Sequence, residues 1–150
     1  MRSFYSHRQN GYLLLMITLP GVVGLLIAAW LTGVWFPFAL VAVVLAAVSA
    51  AFSSLTVEVS PDELVWFFGP GLFRKSVPRS EISLVSPVTN KWWYGWGIHL
   101  TPHGWLYNVS GLEAVEIKLW TGRTLRIGSD ETEKLVHALR SGWTQTRVGA

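Results

Sequence analysis

From Gly11 to Val57 the chain runs for forty-seven residues without one Asp, Glu, Lys or Arg. Two continuous apolar segments fill that gap. Tyr12 to Leu31 (YLLLMITLPGVVGLLIAAWL) is twenty residues long and Phe36 to Phe52 (FPFALVAVVLAAVSAAF) is seventeen. At about 1.5 Å rise per residue they make roughly 30 and 25 Å of helix, against a bilayer hydrocarbon core of about 30 Å. With a residue or two added at each end, both are expected to cross. Pro37 stands in the first turn, where a missing N–H costs nothing. Pro20 is expected to kink the first span, a defect that membrane helices accommodate. Thr32-Gly33-Val34-Trp35 allows only a tight hairpin, flanked by Trp30 and Trp35 as an interfacial aromatic belt would be.

Two other origins fit less well. A cleaved signal peptide has one apolar core of about 7–15 residues, not two in tandem. A hairpin buried in a soluble protein needs more covering surface than the rest of the chain supplies. The expectation is therefore a multi-pass protein of the cell (inner) membrane. Arg2 and Arg8 precede the first span, the hairpin is uncharged, and Arg74, Lys75 and Arg79 follow the second, so the positive-inside rule places both termini in the cytoplasm. The net charge of +3 divides into +2 from Arg2 and Arg8 and +1 from the ten basic and nine acidic residues after Val57. Such a balance lacks the clustered basic face of a nucleic-acid binder. With no cysteine, disulfides, thiol catalysis and thiolate metal sites are excluded.

Beyond the spans the pattern alternates. Leu55, Val57 and Val59 against Thr56, Glu58 and Ser60 read as a half-buried strand, and Leu64 to Phe68 as the next. Gly69-Pro70-Gly71 breaks the run and Leu72 to Val77 resumes it. Ser80-Glu81-Ile82 reads as a short helical turn before a strand from Ile82 to Val88. Gly97 to Thr101 and Trp105 to Val109 form a hairpin around Pro102-His103-Gly104. Pairing Leu119 with Leu125 and Ile117 with Ile127 keeps the apolar residues on one side, leaving Thr121-Gly122-Arg123 as the loop. A capped amphipathic helix at 130–141 follows, with Gly142 past its end. The organisation expected is a cytoplasmic segment at 1–11, a transmembrane hairpin at 12–54, and a module at 55–150. That makes a membrane-anchored α+β protein, whose module has about seven antiparallel strands, as a barrel or sandwich closed by one C-terminal helix.

The runs Arg74 to Ile82 (RKSVPRSEI), Trp92 to Ile98 (WWYGWGI), Gly104 to Gly111 (GWLYNVSG) and Arg126 to Glu131 (RIGSDE), with Ser6-His7-Arg8-Gln9 before the first span, resemble the blocks of bacterial pleckstrin-homology-domain membrane proteins. The resemblance covers nearly the whole chain. It implies a pleckstrin-homology-like (PH-like) module at the inner membrane face and carries over no catalytic residue. One departure matters: the first loop of the module, Ser60-Pro61-Asp62-Glu63, is acidic where phosphoinositide binders are basic, which argues against inositol-lipid binding.

Asn90 to Asn108 holds four tryptophans and two tyrosines. Trp92, Trp93, Tyr94 and Trp96 admit three uses: sheet core first, a seat in the headgroup layer second, a partner or ligand groove third. Arg74, Lys75 and Arg79 form the one basic cluster, suited to anionic lipid or simply solvated. His99 and His103 span a turn without a third ligand, so no metal site is expected. His7 and Gln9 either cap the first helix, the preferred reading, or bond the module or headgroups. No nucleophile elbow, phosphate loop or paired-carboxylate site is present, and no ionisable group inside the spans marks a transport path.

The function expected is a non-enzymatic scaffold or recruitment module for protein or lipid, without cofactor, inserted in the bilayer and engaging a protein partner whose identity the sequence does not carry. The rival is an accessory subunit packing through Gly21-xx-Gly24 and the alanine-rich Ala42 to Ala51. Homo-oligomerisation is compatible with either.

Overall fold

The structure is a computed structural model and describes residues 3–141; Arg2 and Gly142 lie outside them. It opens not with a loose segment but with a strand, β1 (Tyr5–Asn10), which leads into helix α1 (Tyr12–Thr32). Helix α2 (Trp35–Ala51) returns antiparallel, and β2 (Ser54–Val59) follows at once. Then come β3 (Glu63–Phe68), β4 (Leu72–Pro78), a single 3-10 turn at Arg79–Glu81, and β5 (Ile82–Thr89). A second 3-10 turn at Trp92–Tyr94 precedes β6 (Gly97–Thr101), β7 (Gly104–Asn108), β8 (Glu113–Leu119) and β9 (Thr124–Gly128). Helix α3 (Thr132–Ser141) starts two residues later than expected, with the Ser129 hydroxyl accepting from the Glu131 N–H.

The protein is thus α+β, with three helices and two sheets among the described residues, of order β1-β2-β3-β4 and β5-β8-β9-β7-β6. Two sequence expectations need correcting. Among the described residues there are nine strands, eight of them in the module where about seven are expected, and β7 runs parallel to β9, so the module is not wholly antiparallel. The extra strand at Tyr5–Asn10 is short and polar, with no apolar alternation to betray it. It forms because the antiparallel helices bring its end beside β2, with Asn10 opposite Ser54 and Tyr5 opposite Val59. The β8–β9 register is also two residues from the expected one, pairing Ile117 with Leu125 and Val115 with Ile127. A shift of two leaves every side chain on its expected face. The loop is Trp120-Thr121-Gly122, closed by the Leu119 N–H donating to Arg123 O, and Gly122 takes the left-handed φ of 83° that such loops need.

Helices α1 and α2 differ from everything after them. Only Ala29 in α1 and Ala42 and Ser49 in α2 are buried, and these small residues lie where two helices can approach closely. The Ser49 and Thr18 hydroxyls stand 2.8 Å apart across the pair. All other faces present Leu, Ile, Val, Met, Trp and Phe outward. By length and composition α1 can cross a membrane; α2, at seventeen residues, is a shorter apolar helix, because the chain leaves it at Phe52 to enter β2. The expectation of two full-length spans is therefore met by one helix.

The core lies between the sheets, where Leu55, Leu64, Phe68, Val85, Ile117 and Ile127 are fully buried, and α3 closes it with Leu135 and Leu139. On the opposite face of the β8–β9 ladder sits one buried polar group. Arg126 Nε and Nη2 donate to Glu116 Oε2 at 2.9 and 2.7 Å, and Nη1 donates to Asn90 Oδ1 at 3.1 Å. Removing one partner strands the other charge away from water, which costs about 3 kcal/mol. Glu116→Ala is expected to lower the unfolding free energy by about that much, and Glu116→Leu with Arg126→Met to recover most of it. A loss below about 1 kcal/mol in chemical unfolding would mean that the pair is effectively solvated.

Candidate functional site

The root of the hairpin organises one end of the module. The Gly11 N–H donates to Ser53 O at 2.8 Å and the Gly69 N–H to Ser54 O at 2.8 Å. Both glycines are required there by close approach, since a Cβ would meet Phe52 O at 2.7 Å from Gly11 and Ala51 O at 2.8 Å from Gly69. Phe73, held at a left-handed φ of 51°, stacks on Phe52 with ring centroids 5.5 Å apart. A non-glycine residue in that conformation is strained, and the strain here aims an aromatic ring at the end of α2.

The loop after β7 joins the same end. Ser110 Oγ donates to Asn10 O at 3.1 Å, and Gln9 Nε2 donates to Ser110 O at 3.1 Å. Its Gly111 O accepts from Asn108 Nδ2 and from Trp96 Nε1, at 3.0 and 3.3 Å. His99 Nε2 donates to Trp96 O at 2.6 Å, which holds the far side of the aromatic turn. The run Trp92–Trp96 is thereby fastened beside the hairpin root rather than folded into the core.

Its side chains are mostly wet. Trp92 and Trp93 are 70% and 60% exposed, their rings T-shaped at 5.8 Å. Lys91 Nζ lies 5.0 Å from the Trp93 ring centre, and Tyr94 packs edge-on to Trp93 and His103. The first use weighed for these four residues, sheet core, is not what the structure gives them. Tyr107 is the aromatic of this region that enters the core, beside Trp66 at 5.2 Å. Glycines at 95 and 97, with φ of 74° and 110°, turn the backbone so that no regular strand alternation buries Trp92 or Trp93.

The basic cluster does not stay together. Arg74 lies 5.2 Å over the Phe67 ring on the exposed strand β4, and Lys75 lines a cleft at the edge of the sandwich. Arg79 is 6% exposed and structural: it donates to Ser60 O and to the last carbonyls of α3, Ala138 O and Leu139 O, at 3.2, 3.3 and 2.7 Å. A guanidinium at a helix C-terminus is favourably placed against the helix dipole. Burial pulls its pKa below the usual arginine value.

His7 and Gln9 also depart from the preferred reading, since neither caps α1, whose N-cap Gly11 carries no side-chain bond. His7 instead places Nε2 2.6 Å from Asp130 Oδ1 and Nδ1 3.3 Å from Glu131 Oε2, tying β1 to the start of α3. Beside it, burial first and then the charge of Glu131 push the Tyr5 hydroxyl up to about 12. His99 and His103 share no ligand geometry, and no group of three metal-ligating side chains is found among the described residues. The His7–Asp130 link carried no sequence signal beyond the presence of His7, because its partners are over a hundred residues apart.

Compared with known proteins, the chain matches no family model, no curated protein and no solved structure. The site is therefore read from its own geometry: an exposed aromatic turn with Lys91 over Trp93, and a strained phenylalanine, gathered where two bare apolar helices enter the sandwich. Two outcomes follow for stability. Trp92→Ala and Trp93→Ala should each shift the unfolding free energy by no more than about 0.5 kcal/mol. Arg79→Ala should cost about 2 kcal/mol while Arg74→Ala costs close to none, as measured by chemical unfolding. The reverse order would return the tryptophans to the core and Arg79 to the surface.

Proposed function

We propose that this protein is a non-enzymatic, membrane-anchored PH-like module that holds a binding surface against the inner membrane face. In this reading α1 and α2 both cross the bilayer, the β sandwich is cytoplasmic, and Trp92, Trp93 and Lys91 sit in the headgroup layer. There the module recruits a protein or lipid to the inner face.

The observation that carries the reading is the exposure of the hairpin. A helix apolar on all sides needs an apolar surround, and the sandwich provides none, since no residue of either helix joins its core. Burying one exposed leucine or phenylalanine in lipid is worth about 1.5–3 kcal/mol. The hairpin carries many such residues, so no arrangement in water competes. Seventeen residues make about 25 Å, a modest shortfall that local bilayer thinning absorbs. Trp30, Trp35 and Phe36 at the hairpin tip, 72%, 53% and 80% exposed, suit the opposite interface. At the root, Trp and Lys side chains have the half-apolar, half-polar character that headgroup regions select. The PH-like assignment is supported by two facing sheets with a closing terminal helix; the parallel β7–β9 pair and the leading β1 are departures from it.

A second reading has one observation in its favour. A Cβ at Gly21 or Gly24 would meet nothing within 4 Å, which leaves an open notch on α1 where another membrane helix could pack.

The chain has no cysteine, so single replacements report cleanly. Thr32→Cys in intact cells should react with a membrane-impermeant maleimide while Ser76→Cys stays protected until the cells are opened. A nitroxide on Trp92→Cys, in reconstituted bilayers, should be relaxed more by oxygen than by a water-soluble nickel complex, and one on Trp120→Cys the reverse. Labelling of Ser76→Cys from outside, or an aqueous Trp92→Cys site, would overturn the placement.

A further inference from the structure

Strand β4 is the outer edge of one sheet and β6 the outer edge of the other, so the sandwich is open along the seam between them. A cleft of about 570 Å³ lies in that seam, within the size range of small-molecule sites. Trp66, Phe73, Ile98 and Tyr107 wall it, with Lys75 lining it from β4 and Arg123 from the loop before β9. Lys75 is paired with Trp66 across β3–β4, so it leaves its strand on the side that Trp66 shares, at the exposed mouth of the cleft. Among the described residues neither Lys75 nor Arg123 makes an ion pair. Glu81, the sole carboxylate lining the cleft among the described residues, leaves their charge there net positive. Trp66 is 2% exposed, and its indole N–H has no acceptor among the described residues. At one end the wall is Phe73, which stacks on Phe52 where α2 enters the sandwich.

We infer that this cleft binds the acyl chain of a single-chain anionic amphiphile, with Lys75 and Arg123 holding its carboxylate or phosphate. The apolar walls take the chain and the two cations the anion, and the Phe52–Phe73 stack makes the cleft continuous with the surface of the hairpin. The inference rests on the membrane placement proposed above, because the amphiphile reaches Phe73 from the bilayer. It differs from the inward-pointing lysine that merely discourages strand addition at a sheet edge. That role asks nothing of Arg123 and needs no apolar floor.

The test uses the full-length protein in phosphatidylcholine nanodiscs with a dodecanoate probe carrying a photoactivatable diazirine near its methyl end. After irradiation, mass spectrometry maps the labelled residues. Labelling at 73–77 and 98–107, saturable and displaced by unlabelled dodecanoate or dodecyl phosphate, supports the inference; the more effective competitor tells a carboxylate source from a phosphate one. Lys75→Gln with Arg123→Gln should weaken cleft labelling at least tenfold and leave labelling of α1 and α2 unchanged. The uncharged dodecanol analogue should show little preference between the two proteins. Helix labelling without cleft labelling overturns this inference alone, whereas absent helix labelling overturns the membrane placement itself. Equal labelling of the folded double variant, with folding checked by circular dichroism, also overturns it. So does displacement of the probe by a basic or neutral β-strand peptide but not by dodecanoate, which would make the seam a strand-addition site.

Discussion

The hydrogen bond from Gly11 N–H to Ser53 O, together with the Asn10–Ser54 pairing beyond it, is the contact on which the architecture turns. Two antiparallel helices deliver their ends side by side, and each end continues as a strand within a residue or two. A loose tether would have let the sandwich tumble relative to the helices. Here β1 and β2 are neighbours in the same sheet that carries β3 and β4, so the orientation of the module is set by backbone pairing. The glycines at 11 and 69 let carbonyl oxygens of Ala51 and Phe52 approach closer than a side chain allows. The loops that lie at the hairpin end are fixed with it, and the aromatic turn is one of them.

Two different apolar environments share one short chain. In the sandwich, apolar side chains alternate with polar ones, because only one face of each sheet meets the core. In the hairpin they surround each helix except where the small residues Ala29, Ala42 and Ser49 lie between the two. The two arginines buried in the module are correspondingly partnered: Arg126 with Glu116 and Asn90, Arg79 with the α3 carbonyls. Both arginines serve cohesion, which removes one from the cationic set that the sequence offers and leaves Lys75 and Arg123 as the cations of the open seam.

Exposure of Trp92 and Trp93 would be costly in water for a loop without purpose, since large apolar groups gain from burial. They stand beside the hairpin root, where the apolar helices leave the sandwich. The same logic extends to Phe73. Its strained backbone is tolerated because ring stacking on Phe52 and the tight Gly69 turn leave it little freedom.

Much of this was legible in the sequence. The helix boundaries follow from the absence of charge over two continuous apolar runs, parted only by the short connection at Thr32 to Trp35. The strands from Leu55 onward follow from alternation, and α3 from its stripe of Leu135, Val136 and Leu139, because periodicity reports which side of an element is dry. Only the tertiary structure decided the rest. It turned Tyr5–Asn10 into a strand, joined His7 to Asp130, buried Arg79, and ran β7 parallel to β9. Each of these depends on a partner distant in the sequence, and a side chain's pattern records how much of it is buried but not against what.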